Sequence, residues 1–187
     1  MWAVPRAGAA DVFARVGGFD EDVAFIEAIR KWAAAKYPDL EQTVLSGFSS
    51  GAGQVWSQLA ARPSGWDVAV VAGAALPRAG TYRPGVGPHV FFCMGTRDEK
   101  FFGSEAKYSY EHTADVLTAG AALRRTYVEA ATTNVGRVEM SGYVATGGRK
   151  VAVCTHSAAH EWPDGPGEND WSLTRSGLRF CDHARGW

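Results

Sequence analysis

Three short apolar runs constrain the fold of this 187-residue chain more than any other feature of its sequence. They are "QTVLSGF" (42–48), "WDVAVVAGAA" (66–75) and "PHVFFCMG" (88–95). Each run has the length of a β-strand, and its apolar residues follow one another with little polar alternation. Strands of this kind are buried on both faces, which predicts a mostly parallel sheet with helices packed against both sides.

Segments with helical patterns separate these runs. Residues 20–36 carry apolar side chains at helical spacing, with acids in the first turn and Pro38 beyond the end. The segment "SGAGQVWSQLAARP" (50–63) predicts a second helix that stops at its proline. We expect further helices over 104–119 and 171–184. The succession of strands and helices indicates an α/β fold with a single domain over residues 1–187.

The segment "GRVEMSGYVATGGRKVAVCTHS" (136–157) predicts two strands joined by a turn at "TGGR". Val138, Met140 and Val144 fall on one face of the first of these strands. In parallel sheets, reactive groups gather at the carboxyl ends of the strands. We therefore expect Ser49, the loop after Met94 and the loop after Thr155 to lie at one edge of the sheet.

Composition excludes several classes of partner. Hydrophobic residues make up 46% of the chain, which is enough for a sizeable core, and the net charge is −1 with acids and bases interspersed. This balance offers no electrostatic basis for binding nucleic acid or an anionic membrane. No apolar run approaches the roughly 18 residues of a membrane span. The N-terminal "MWAVPRAGAADVF" lacks the basic-then-apolar layout of a signal peptide.

The chain has three cysteines, Cys93, Cys154 and Cys181. An odd number cannot pair completely within one chain, and the spacing matches no zinc motif. Cys93 and Cys154 lie in apolar runs, which favours buried thiols. One disulfide that involves Cys181 stays open as an alternative.

The pentapeptide "GFSSG" (47–51) fits the pattern G-x-S-x-G, with Ser49 at its centre. An apolar strand before it and a helix after it indicate a sharp turn that exposes the central hydroxyl. We expect side chains at Gly47 and Gly51 to collide with the neighbouring helix and strand. Ser50 lacks flanking glycines at this distance and is not the candidate nucleophile. Its backbone N–H, at the start of a helix, is instead expected to bind an oxyanion.

A reactive serine needs a histidine to take its proton and a carboxylate to orient that histidine. In this architecture the chain order is serine, acid, histidine. Asp98 lies in the turn "GTRD" beyond a strand, with Glu99 as its rival. His156 and His160 both follow in the loop after the last predicted strand, and the residues alone leave both open as the base.

A metal site is the competing interpretation of the two histidines. His156 and His160 stand four residues apart, a spacing that binds metal when both lie on a helix. A strand leads into this segment, and Trp162-Pro163 follow it. We therefore expect a loop here, with no metal and no cofactor.

Over about residues 18–165 the chain resembles the polyhydroxybutyrate depolymerase and feruloyl esterase group of α/β-hydrolases. The similar segments are "DEDVAFIEAIRKWAAAKYP", "VLSGFSSGAGQVWSQLAARP", "VAGAALP", "VFFCMGTRDEKF" and "HEWPDG". The His-x-Trp-Pro loop is the most specific of these. The resemblance implies that Ser49 is the nucleophile, Asp98 the acid and His160, rather than His156, the base. It also implies a secreted enzyme that cleaves carboxylic esters of hydroxyalkanoate polymers or of aromatic acids on plant polysaccharides.

Two aromatic residues adjoin this predicted site. Phe48 precedes the serine, and Trp162 follows the base. Both suit contact with a flat or apolar acyl group, although plain packing is an equally good explanation.

The chain departs from the family in two places. "SAAHEWPDG" replaces the family's glycine run before His160, which predicts a stiffer loop. Nothing before residue 18 resembles the family's first strands, one of which carries the loop that donates a second oxyanion N–H. The chain thus resembles a family member without its first strands, and the strand around Val44 and Leu45 becomes an open sheet edge. We expect either "MWAVP" or a second copy of the chain, as a homodimer, to pair with it.

Two further functions stay open from the sequence. A non-catalytic binding module of the same fold would keep these residues but lack a complete oxyanion hole. A serine peptidase would use the same residues on amide bonds, although no feature of the sequence favours that substrate.

Overall fold

The computed structural model describes residues 20–76, 82, 86–99, 109–130, 136–145, 147–164 and 171–184. The α-helices in these residues are α1 (Asp20–Lys36), α2 (Ser50–Ala61), α3 (Tyr110–Thr118) and α4 (Leu173–Ala184). The strands are β1 (Val44–Phe48), β2 (Val68–Ala72), β3 (His89–Gly95), β4 (Ala122–Ala130), β5 (Arg137–Val144) and β6 (Lys150–His156). Of the described helices, none combines the length and the apolar character needed to cross a membrane.

The six strands form one mixed sheet in the order β1-β2-β3-β6-β5-β4. β1, β2, β3 and β6 run parallel, whereas β5 and β4 are paired antiparallel on one side. This topology confirms the predicted α/β class and the mostly parallel sheet. It also confirms the hairpin, because β5 and β6 pair from Val144 opposite Lys150 to Val138 opposite His156.

The predicted helices agree with the structure to within a few residues. The first predicted helix coincides with α1, and the second ends at Ala61, two residues before the proline that was expected to stop it. The helix expected over 104–119 is represented by α3, with residues 104–108 outside the described part. The C-terminal helix begins at Leu173 rather than at residue 171.

Strand β4 has no counterpart in the sequence analysis. Its sequence, ALRRTYVEA, contains two consecutive arginines, and the side chains of Leu123 and Val128 are more than half exposed. Within the described sheet β4 lies at the edge and pairs with β5, with a register shift between Leu123 and Arg125. Backbone pairing with β5, rather than a buried apolar face, makes this segment a strand.

The two faces of the sheet carry separate apolar clusters, because successive strand residues point to opposite sides. On one face, α2 and α3 contribute Trp56 and Leu117 to a cluster that contains Phe92 of β3. On the other face, α4 contributes Phe180, whose ring lies 5.7 Å from that of Phe91. Helices thus cover both faces, as expected from strands without polar alternation.

The β1 side of the sheet is less enclosed than its centre. β1 is the edge strand among the described residues, and Val44 at its start is exposed. Helix α1 contacts α2, where Gln58 Nε2 donates to the Val23 carbonyl at 2.9 Å, while Phe25 and Trp32 are about half exposed. Pairing of this edge with "MWAVP" or with a second copy stays a prediction, and residues 1–19 lie outside the described part.

All three cysteines lie within the described residues. Cys93, Cys154 and Cys181 are buried thiols, and none of the three forms a disulfide. Cys93 and Cys154 face each other in register on β3 and β6. The expectation of buried thiols is confirmed, and a disulfide that involves Cys181 is not formed.

Phe180 is expected to carry much of the energy that holds α4 on the sheet. Replacement of Phe180 by Ala removes a buried ring from the Phe91 contact and should lower the free energy of unfolding by about 3–5 kcal/mol. Leu178→Ala on the same helix is the matched control, because that side chain is exposed and should change stability by about 0.5 kcal/mol or less. Urea titration followed by circular dichroism measures both variants, and equal losses would contradict the assigned face of α4.

Candidate active site

Ser49 occupies a strained backbone conformation between β1 and α2. Its φ is 55° and its ψ is −119°, and among the described non-glycine residues it alone has a positive φ. The Ser49 N–H donates to the Ala72 carbonyl at 3.0 Å, and its carbonyl accepts from the Gly53 N–H at 3.1 Å. A conformation of this kind costs on the order of 1–3 kcal/mol and persists when its surroundings hold it, most often at functional sites.

The two glycines that flank the serine pair have different roles. A Cβ atom at Gly47 would overlap the backbone of Gly51 and lie 2.8 Å from Ala52 N, so glycine is required there. A Cβ atom at Gly51 would meet no atom within 4 Å. The expected collision at Gly51 is therefore wrong, because this position is exposed and points away from the strand.

The imidazole of His160 bridges the hydroxyl of Ser49 and the carboxylate of Asp98. His160 Nε2 lies 2.8 Å from Ser49 Oγ, and His160 Nδ1 lies 2.6 Å from Asp98 Oδ2. A carboxylate can only accept, so Nδ1 carries the proton of the second bond and Nε2 is left as the acceptor for the serine hydroxyl. This tautomer is the one that can take a proton from Ser49.

Asp98 is held by the turn at the end of β3. Its N–H donates to the Gly95 carbonyl at 3.1 Å, and the side chain is 2% exposed. Glu99, its rival in the sequence, is exposed. A buried carboxylate beside the imidazole can orient the ring and can stabilise the positive charge that the imidazole would gain on protonation.

The loop that carries His160 crosses directly over the end of β3. Thr96 N–H donates to the His156 carbonyl at 2.8 Å, and Arg97 donates from its Nε to the Ser157 carbonyl at 2.6 Å. A Cβ atom at Gly95 would overlap the carbonyl oxygens of residues 158 and 159, so the crossing requires glycine there. These contacts hold the turn of Asp98 against the loop of His160.

His156, the other candidate base, lies in the core instead. It ends β6, is 2% exposed, and its Nδ1 has no hydrogen-bond partner in the part of the chain that the structure describes. Burial lowers the pKa of His156 to about 4, against a smaller opposing effect of the Asp98 carboxylate. His156 is thus a neutral core residue at physiological pH, and the imidazole that contacts Ser49 belongs to His160.

Phe48 and Trp162 pack around the imidazole. The Phe48 ring lies 5.0 Å from that of His160 with a tilt of 32°, and the Trp162 ring meets Phe48 edge-on at 5.9 Å. Gly73, at φ 66°, makes room for them, since a Cβ atom there would lie 2.5 Å from Phe48 Cε2 and 3.3 Å from His160 Cε1. Both rings are half-buried and have a clear packing role, while contact with a substrate stays a prediction.

The oxyanion donor named from the sequence lies at the start of α2. Ser50 is the first residue of this helix, and the first N–H groups of a helix have no acceptor within it. The positive end of the helix dipole adds a favourable field for an anion at this point. Binding of a negative oxygen by the Ser50 N–H stays a prediction.

The two histidines do not form the metal pair that their spacing suggested as an alternative. His156 belongs to β6, and residues 157–160 are bends rather than helix. Among the residues that the structure describes, no group of three or more His, Cys, Asp and Glu side chains is placed to hold a metal ion.

Sequence reasoning found the three hydrogen-bonded side chains but missed what supports them. Gly73 directly follows β2 and Gly95 ends β3, and this position at the end of a buried strand was the available signal for both. Asp164 and Thr174, which hold the loop after His160, carry no recognisable motif.

Compared with known proteins, the chain matches no family model and no curated protein.

The two glycines of the serine turn should respond differently to alanine. Gly47→Ala is expected to lower the free energy of unfolding by about 2–3 kcal/mol, since the new methyl group overlaps the α2 backbone. Gly51→Ala should be neutral or stabilising by up to about 1 kcal/mol, because alanine is the better helix former and the site is open. Chemical denaturation of both variants checks this, and a similar loss in each would contradict the geometry.

His156 should make stability fall on acidification. The folded protein takes up this proton near pH 4, whereas an unfolded histidine takes it up near 6.5. The stability is therefore complete above pH 6.5 and declines as the pH falls towards 4, by about 3 kcal/mol for this shift. Urea titrations between these two pH values should show a shallower decline for His156→Leu than for wild type. Parallel declines would contradict the assignment.

Proposed function

We propose that this protein is a serine hydrolase of the α/β-hydrolase type that cleaves carboxylic esters through an acyl-enzyme. The observation that carries the proposal is the position of the His160 imidazole, 2.8 Å from Ser49 Oγ and 2.6 Å from Asp98 Oδ2. These distances are those of a nucleophile, a base and an orienting acid. The chain order serine, acid, histidine supports the α/β-hydrolase assignment.

In the first half of the reaction, Ser49 Oγ attacks the ester carbonyl carbon while His160 Nε2 takes the hydroxyl proton. Asp98 holds the ring through Nδ1 and stabilises the imidazolium that forms. The tetrahedral intermediate then collapses, His160 gives its proton to the departing alkoxide, and the alcohol leaves. The acyl group remains on Ser49 as an ester.

In the second half, water takes the place of the alcohol. His160 Nε2 removes a proton from the water as the water oxygen attacks the acyl carbon. His160 then passes this proton to Ser49 Oγ as the carboxylic acid departs. In both tetrahedral intermediates the Ser50 N–H is the proposed donor to the oxyanion. Loss of one such donor costs about 10²–10³ in rate, so a site with one donor would be slow but active.

The substrate class follows from the resemblance and the aromatic surroundings. Phe48 and Trp162 flank the base, and we propose that their exposed portions contact an apolar or aromatic acyl group, as in polyesters or aromatic-acid esters. Secretion belongs to the same proposal, since it rests on the resemblance alone.

Replacement of Ser49 tests the proposal directly. Ser49→Ala should reduce hydrolysis of a short-chain nitrophenyl ester by several orders of magnitude, because the nucleophile is gone and only binding and oxyanion contacts remain. Ser57→Ala is the matched control, since Ser57 lies on α2, the helix that follows Ser49, and its hydroxyl bonds to the Gly53 carbonyl instead of His160. This control should retain the wild-type rate.

A fluorophosphonate probe tests the activated hydroxyl without assuming a substrate. Peptide mapping should place the label on Ser49 in wild type and find none in Ser49→Ala. Equal ester hydrolysis by wild type and Ser49→Ala, with no label, would overturn the proposal in favour of a non-catalytic binding module. Cleavage of peptides with no cleavage of esters would favour a peptidase.

A further inference from the structure

The segment after His160 is joined to the first turn of α4. Leu173 N–H donates to the Pro163 carbonyl at 2.9 Å, and Asp164 forms an isolated β-bridge with Ser172. The start of α4 is anchored in the core, because Leu173 is fully buried in the apolar cluster that also contains Phe91 and Phe180. The base is therefore carried by a loop that is fastened at both ends, to the β3 turn on one side and to α4 on the other.

The carboxylate of Asp164 makes most of the hydrogen bonds that attach the loop to α4. Its Oδ1 accepts from Ser172 Oγ at 2.5 Å and from the Thr174 N–H at 3.1 Å, and its Oδ2 accepts from Thr174 Oγ1 at 2.7 Å. Asp164 is exposed, and partial desolvation raises its pKa, but the bonds from Ser172, Thr174 and Trp162 outweigh this effect and lower the pKa below its usual value. The carboxylate is thus ionised at neutral pH and caps the N-terminus of α4.

The hydroxyl of Thr174 links this cap to an aromatic ring beside the base. It donates to Asp164, and it accepts from Trp162 Nε1 at 3.0 Å. Both directions are fixed, because a carboxylate only accepts and an indole N–H only donates. The hydroxyl is therefore oriented from both sides and holds the indole of Trp162 at a set angle.

The indole transmits this orientation to the imidazole through one further ring. Trp162 meets Phe48 edge-on at 5.9 Å, and Phe48 lies against His160 at 5.0 Å. Gly73 packs against one edge of the Phe48 ring, since a Cβ atom there would overlap it. Phe48 therefore contacts the backbone at Gly73 as well as the rings of Trp162 and His160.

We propose that Thr174 and Asp164 are positioning residues for His160, holding the imidazole at hydrogen-bond distance from Ser49 through Trp162 and Phe48. Neither residue touches the reacting atoms. The expected effect on the reaction rate of Ser49 rests on the proposed function, because it needs a reactive Ser49. The expected effect on the hydrogen bond between His160 and Asp98 does not. Small displacements of a base are costly, because proton transfer depends steeply on geometry.

Thr174→Val is the informative substitution. Valine keeps the shape of threonine and leaves the backbone bond from residue 174 to Asp164, but it loses both hydroxyl bonds. Thr174→Ser restores the hydroxyl and should restore wild-type behaviour. Thr118→Val is the matched control, since Thr118 also bonds by its hydroxyl, to the Ala114 carbonyl on α3.

Two readouts separate positioning from stability. The first is the rate at which the fluorophosphonate labels Ser49, which should fall about 3–10-fold in Thr174→Val, the effect of one net hydrogen bond, and remain unchanged in Thr174→Ser and Thr118→Val. The second is the far-downfield proton resonance of His160 Nδ1–H in histidine-labelled protein, which reports the bond to Asp98. It should weaken or shift in Thr174→Val alone, at a temperature where all variants are folded.

Each outcome decides a different question. Unchanged labelling and an unchanged resonance in Thr174→Val would overturn the positioning role, as would equal effects in Thr118→Val. A wild type without the resonance would also overturn it. A wild type that shows the resonance but takes no label would refute the proposed function, and the response of the resonance to Thr174→Val would still decide the positioning role.

Discussion

The parallel pairing of β1, β2, β3 and β6 is the constraint on which the rest of the structure depends. In-register pairing sets Phe48 opposite Ala72, Ala72 opposite Cys93 and Gly95 opposite His156. Three loops that are far apart in the chain therefore leave the sheet at one edge. The hydrogen bonds among Ser49, His160 and Asp98 are possible because the strands end together, and a slip of one residue in any pair would separate them.

Glycines allow the chain segments at this edge to approach one another closely. Gly47 allows β1 to turn into α2, and Gly73 leaves space for the Phe48 ring. Gly95 allows the loop that carries His160 to cross the end of β3. Ser49 itself takes the strained conformation, held by backbone bonds on both sides. The strained backbone of Ser49 is thus held in place by the residues around it.

The loop that carries His160 is supported on both sides. On one side, Arg97 and Thr96 bond to the backbone before His160, which ties the turn of Asp98 to this loop. On the other side, Asp164 fastens the loop to α4, which is anchored in the core by Leu173 and Phe180. Helix α2, which follows Ser49, and helix α4 pack on opposite faces of the sheet, so the residues around His160 contact both layers of helices.

The sequence by itself determined the α/β class, the strands β1, β2, β3, β5 and β6, and most of the helices, since local apolar patterns specify these over short stretches. It also singled out Ser49 and Asp98 as candidates, from a glycine-flanked turn and from a turn at the end of a strand. The residues alone left His156 and His160 open, because both lie at the end of the same predicted strand, and the family resemblance favoured His160. The structure separates them by the burial of His156 and by the hydrogen bonds of His160 to Ser49 and Asp98. Tertiary structure alone decided that Gly51 is open, that β4 is a strand and that Asp164 meets Thr174. Each of these depends on contacts between segments distant in the chain, and no local pattern of residues encodes such contacts.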